Sequence, residues 1–208
     1  MRVTKSADER KNEILDAAER LFATKGYDET STSTILDEVG IARGTLYYHF
    51  KSKEDILDAV IMRMVCRMLE EARKAANDKS IGILERIPMT IKLLNADNRL
   101  GREVSSQMYK PQNALMHQKV NRLLIEGVVP IITDIVEEGI DAGIFKTNYA
   151  RETVEMIMIY SNTVFDESED VTQELHKRRM EGFIYNLERL LGTKRGFLRP
   201  TINAIFKD

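Results

Sequence analysis

The chain has 208 residues, 43% of them hydrophobic and 31% charged, with a formal net charge of −2. That balance supports a buried core under a solvated surface and excludes a disordered chain, while the length fits one compact body with a small module attached. Residues 1–60 hold 9 Lys or Arg against 12 Asp or Glu, so bulk charge does not announce a nucleic-acid partner, and any such function must rest on local geometry.

The first predicted helix starts at Ser6, where Ser6-Ala7-Asp8-Glu9 reads as a capping box. Ile14, Leu15, Ala18, Leu21 and Phe22 give it one apolar side, and Gly26, just past Lys25, is placed to end it in a left-handed conformation. The polar run from Asp28 to Ser33 offers Thr30 or Ser31 as the cap of a short second helix bearing Ile35, Leu36 and Val39, which Gly40 ends. Ile41 and Ala42 lead into a third helix over residues 43–50. Ser52, with Asp55 three residues on, starts a long fourth helix running to about Asn77, whose stripe is Ile56, Val60, Met64, Met68 and Ala72. Further helices are expected at 80–96, 99–109, 112–142, 149–164 and 171–192, and the tail from Gly196 to Asp208 has no readable pattern.

With about 100 degrees per residue, Leu46 and Phe50 fall together on the inner side of the third helix, where they can meet Ile35, Val39 and Ile41. Tyr48 points nearly opposite. Gly44 and Thr45 share that outward side, and Tyr47 and His49 take the flanks. Two short helices joined by a tight turn containing glycine, the second presenting small and hydrogen-bonding groups, make a helix-turn-helix shaped for the major groove of DNA. Gly44 permits close backbone approach, Thr45 offers a methyl and a hydroxyl to a base edge, and tyrosine and histidine reach phosphates. Lys53 and the free amides at the start of helix four suit the phosphate backbone.

The segments Leu21-Phe22, Gly26-Tyr27, Thr32 to Ile35, Gly40-Ile41, Gly44-Thr-Leu-Tyr-Tyr-His-Phe50 and Lys51-Ser-Lys53-Glu-Asp-Ile-Leu57 resemble, in order and spacing, the DNA-binding domain of TetR-type (tetracycline-repressor-like) transcriptional regulators. The resemblance covers residues 8–60. It implies an all-α protein: an N-terminal three-helix domain over residues 1–51, and a larger helical dimerisation and effector-binding domain over 52–208, with helix 52–77 linking the two. It also implies a homodimer on a palindromic double-stranded operator and release of that DNA by a small-molecule effector. The DNA contacts it implies are Thr32 and Ser33 from helix two, Arg43, Gly44, Thr45, Tyr47, Tyr48 and His49 from helix three, and Lys53 as phosphate anchor. Two positions depart from the family pattern. Ala42 stands where a hydroxyl residue often caps the recognition helix, and Ser33 is short where some relatives carry a longer base-reading side chain.

Other functions find little support. The positions three before His49, His117 and His176 are Leu46, Ala114 and Gln173, so the Glu-x-x-His pairs of a helical carboxylate-bridged metal enzyme are missing. No Walker-type loop or Gly-x-Ser-x-Gly elbow occurs. The expectation is therefore a non-enzyme without cofactor or metal. Cys66 is the single cysteine, the N-terminus carries no apolar leader, and no apolar run approaches a membrane span. These features point to the cytoplasm and away from membranes. The methionines of the body, among them Met64, Met68, Met89, Met108, Met116, Met156, Met158 and Met180, read as core filling before cavity lining. The amphipathic segments 150–164 and 171–191 are the expected dimer face. The alternative is a helical adaptor whose acidic head no longer binds DNA.

Overall fold

The computed structural model describes residues 6–94, 114–165 and 172–206. Among them every regular element is an α-helix, as the composition and the resemblance lead one to expect. In chain order these are α1 (Ala7–Lys25), α2 (Thr32–Val39), α3 (Arg43–His49), α4 (Lys53–Ala76), α5 (Ile83–Lys92), α6 (Ala114–Asp141), α7 (Ala150–Val164), α8 (Gln173–Leu190) and α9 (Arg199–Phe206). The helix expected at 99–109, with Arg99, Met108 and Tyr109, lies outside the described residues. The chain divides into two compact units. The first holds α1 to α3, the start of α4 through Arg67 and the start of α6 through Asn121; the second holds the rest.

In the first unit, α1 opens with the expected capping box: the Glu9 amide donates to Ser6 Oγ at 3.2 Å and the Ser6 amide to the Glu9 carboxylate at 2.7 Å. Its inner side is Ile14, Leu15, Ala17, Ala18, Leu21 and Phe22, all buried. It ends at Gly26, but not in the expected left-handed helical conformation. Gly26 has φ 90° and ψ 151°, a region open essentially to glycine alone. Its amide still closes the helix on the Phe22 carbonyl at 3.2 Å, while the extended ψ turns the chain so that Tyr27 meets the Phe22 ring edge-on at 5.2 Å. Ser31, not Thr30, caps α2; Thr30 is buried and its hydroxyl donates to the Gly26 carbonyl at 2.7 Å. Ser52 accepts from the Asp55 amide at 3.2 Å, and Asp55 reaches back to the amide of Lys51 at 2.9 Å, so the box at the start of α4 closes one residue further out than usual. Along α4, Ile56, Leu57, Val60, Ile61, Met64 and Val65 are buried.

The second unit has its own core, built on Ile87, Ile132, Ile135, Phe145, Val154, Phe183, Leu187, Leu198 and Ile202. α5 starts at Ile83, later than expected, because Asp78 folds the chain into a turn by accepting from the Ser80 amide at 3.0 Å, and Gly82 takes the cap position. Arg86, 2% exposed, donates to the carbonyl of Ala76 at 2.7 Å, closing the end of α4, and pairs with Glu138, which also pairs with Lys79. These two cations hold the Glu138 carboxyl down at about 2, the Arg86 hydrogen bond first. On α6 Gly139 leaves room for Phe145; an added Cβ would stand 2.3 Å from the ring.

The unread tail forms α9, which packs against α5 through the unit's interior. Its approach is fixed by Glu188, buried on α8, whose two carboxylate oxygens accept the amides of Gly196 and Leu198, each at 2.9 Å. Phe165, Phe183 and Phe206 form a ring cluster, with Phe165 5.4 Å from Phe183 and 5.0 Å from Phe206. Met68 is buried and Met158 and Met180 partly so, as core filling requires, but Met89 and Met156 are exposed.

Candidate DNA-binding surface

The turn between α2 and α3 depends on Gly40, which is left-handed at φ 69° and ψ 41°. The amides of both Gly40 and Ile41 fall back on the Leu36 carbonyl, at 2.8 and 3.2 Å, so the chain reverses within two residues. α3 then starts at Ala42, whose methyl caps nothing; the first turn is held only by backbone bonds from Thr45 and Leu46 to the Ala42 carbonyl. What fixes the helix is burial. Leu46 is 1% and Phe50 3% exposed, and Ile35 on α2 is fully enclosed.

With that inner edge pinned, Tyr48 stands 78% exposed and Tyr47 40%. Arg43 and Gly44 are exposed, and nothing lies within 4 Å of a Cβ built on Gly44, so the backbone there is open to close approach. Thr45 and His49 are half-buried on the flanks, and the His49 ring meets Tyr48 edge-on at 4.9 Å. The structure thus brings Arg43, Gly44, Thr45, Tyr47, Tyr48 and His49 onto one short helix with Tyr48 at its crest.

Helix two joins this surface through Tyr47. A hydrogen bond with Thr32, and then the neighbouring Arg43, hold the Tyr47 phenol below its usual range. The Arg43 guanidinium lies over the same ring at 5.5 Å. Thr32 is half-buried and Ser33 exposed beside it. Lys53 sits differently from a free phosphate anchor. Its ammonium donates to the Tyr27 carbonyl at 2.9 Å and rests 4.2 Å from the centre of the Tyr27 ring. Tyr27 is buried, and desolvation, with the Glu54 carboxylate next, pushes its phenol up to about 12. Sequence reading missed both the pairing of Tyr47 with Thr32 that lowers its phenol and the Tyr27–Lys53 contact, because no helical spacing relates residues 15 or 26 positions apart.

The acidic balance of residues 1–60 also finds an explanation. No Asp or Glu occurs between Glu38 and Glu54, the stretch that holds the whole of α3 with Arg43, Lys51 and Lys53. Among the acids, Glu38 pairs with Arg20 at 2.6 Å, Asp16 with Arg63 at 2.7 Å, and Glu19 with both Arg63 and Arg67. Arg63 and Arg67 fall just beyond residue 60, so a count that stops there omits their charge.

Residues 14–60 match the family described as bacterial regulatory proteins, tetR family, and residues 96–180 match the tetracyclin repressor-like C-terminal domain. The chain is 31% identical over 138 residues to the fatty acid metabolism regulator protein of Bacillus subtilis (strain 168), covering 64% of this chain and 70% of that one. Among solved structures, the fatty acid degradation regulator FadR from Bacillus halodurans aligns over 97% of this chain and 96% of its own, with TM-score 0.56 and 22% identity. The regulator FadR from Bacillus subtilis in complex with stearoyl-CoA aligns over 88% and 99%, with TM-score 0.51 and 24% identity. At these identities the two structures establish a shared fold. Among the described residues no helix is long and apolar enough to cross a membrane.

Proposed function

The chain belongs to the TetR family of bacterial transcriptional regulators, and from that premise we propose that it acts as a dimeric, ligand-released repressor. Two copies of the α3 surface enter successive major grooves of a roughly palindromic operator, about one helical turn apart or a small multiple of it. The contacts are Thr32 and Ser33 from α2 and Arg43, Gly44, Thr45, Tyr47, Tyr48 and His49 from α3, with Lys53 as a supporting group at the start of α4. The observation that carries this reading is Tyr48, left 78% exposed on a seven-residue helix whose Leu46 is sealed inside. A large aromatic held out in solvent by a pinned helix suits a partner surface.

Lys53 serves the site from beneath. Its bond to the Tyr27 carbonyl fixes the start of α4, where Ser52 and Asp55 already cap the amides of Asp55 and Lys51. The dimer forms through α7 and α8, where Met156 is 59% and Ile159 54% exposed, with Tyr160, Leu175, Tyr185 and Leu190 also outward. A two-fold pairing of these faces buries them and gives two small heads the joint affinity one lacks. The functional division follows the 1–51 and 52–208 boundary, with α4 linking reader to body. The protein works in the cytoplasm, beside the DNA it reads, and performs no catalysis.

The relatives named for fatty acid metabolism, one bound to stearoyl-CoA, make a long-chain acyl thioester the effector class we assign. Its binding in the body shifts α4 and changes the separation of the two heads, so both no longer seat at once. Selection of duplexes from a random pool tests the reading. A repressor retains a two-part sequence, loses affinity steeply as salt rises, and releases the duplex on addition of stearoyl-CoA. An adaptor with a silent head retains no sequence at all.

A further inference from the structure

The ion pairs between α1 and α4 do more than balance charge. Arg63 and Arg67 lie one turn apart on α4, and both reach the same α1 carboxylate: Arg63 Nη2 meets Glu19 Oε2 at 2.7 Å and Arg67 Nη2 meets Glu19 Oε1 at 2.6 Å. Arg63 Nη1 also bonds Asp16 Oδ1 at 2.7 Å, so one guanidinium grips two carboxylates one turn apart on α1. Arg63 and Glu19 are 20% and 26% exposed, so that pair is partly shielded from solvent, while Asp16 and Arg67, at 65% and 50%, flank it in water. α1 in turn holds α2, through apolar packing and through Arg20 and Glu38 at 2.6 Å, and α2 supports α3.

We infer that Arg63 and Arg67, with Asp16 and Glu19, form a clip that registers the DNA-reading helices on α4, making these four residues positioning groups for operator binding. The inference rests on the proposed DNA-reading function. Apolar contact between helices tolerates sliding, because it is non-directional. A guanidinium fork on two carboxylates does not, because its hydrogen bonds fix both distance and angle. A shift of α4 is thus delivered to α1, and through α1 to the recognition helix.

The test exploits a sign. Asp16 and Glu19 are acidic, so if they acted only through bulk charge, neutralising them would strengthen binding to polyanionic DNA. As half of a positioning clip, their loss weakens it. We expect Asp16→Asn with Glu19→Gln, and separately Arg63→Met with Arg67→Met, each to lower affinity for the wild-type-selected duplex about threefold to tenfold. Combining all four changes should cost no more than either pair, the non-additivity of groups acting as one unit. Circular dichroism and sedimentation check that fold and dimer persist. The near-isosteric carboxamide pair carries the test if the methionine pair misfolds. Unchanged or tighter binding by the Asp16→Asn, Glu19→Gln chain overturns the inference, as does a lowered melting temperature with operator affinity intact. If the wild-type chain selects no duplex, the functional reading itself has failed.

Discussion

Tyr27 and Lys53 show how a residue gains a role that its own type does not announce. Lysine at a helix start reads as a free charge, yet here its ammonium is spent on the Tyr27 carbonyl and ring. Replacing Lys53 with Met should cost about 1 kcal/mol of stability, from one hydrogen bond and one cation–π contact, as measured by chemical denaturation. The Tyr27 phenol adds a pH signature. Its folded-state value, about 12, lies above the ordinary 10.0, so the neutral phenol is the form the fold favours. The stability it contributes is complete below about pH 10 and is lost as pH rises from there through about 12. Tyr27→Phe should remove that part of the alkaline decline; an unaltered profile would show that Tyr27 does not titrate in the transition. Glu138 shows the opposite sign. Held down at about 2 by Arg86 and Lys79, it contributes stability that is complete above the ordinary carboxylate range and is lost as pH falls toward 2. Glu138→Gln should flatten the acid limb of the stability curve.

At the level of elements, much was legible because the signals are local. The Ser6–Glu9 box, the Leu46–Phe50 seam and the α4 stripe each follow from residues three or four apart, and each is where spacing places it. What spacing could not supply was long-range or conformational. Gly26 ends α1 as expected but takes an extended ψ, chosen by the packing of Tyr27 on Phe22. α9 escaped notice because its eight residues bury only Thr201 and Ile202 within the helix, and its placement depends on Glu188, eight or more positions away. At α3 the missing cap is a testable weakness. Ala42→Ser should stabilise the protein by up to about 1 kcal/mol, raising the midpoint of thermal unfolding; no gain would mean that burial of Leu46 and Phe50 already saturates the stability of this helix.

For the whole molecule, the account needs two copies. The outward faces of α7 and α8 leave large apolar side chains exposed, Met156 at 59% and Ile159 at 54%, and the two-fold pairing proposed above would cover them. Replacing Met156 and Ile159 with Glu should give a folded monomer by sedimentation whose operator affinity falls by at least about a hundredfold, since the second head no longer adds its share. The exposed side of α3 was largely apparent from sequence, because it is defined by what Leu46 and Phe50 leave outside. The effect of Thr32 on Tyr47 and the pairing of Asp16 and Glu19 with Arg63 and Arg67 were not, since both join residues distant along the chain.

The most direct check is the affinity of the Tyr48→Ala protein for the duplex that the wild-type chain selects. Tyr48 lies 78% in solvent, so its loss should leave the melting temperature within about 0.5 kcal/mol of equivalent stability and the dimer intact, while binding weakens about tenfold or more. Equal affinity of the two proteins for that duplex would contradict the assignment of the exposed side of α3 as the DNA-reading surface.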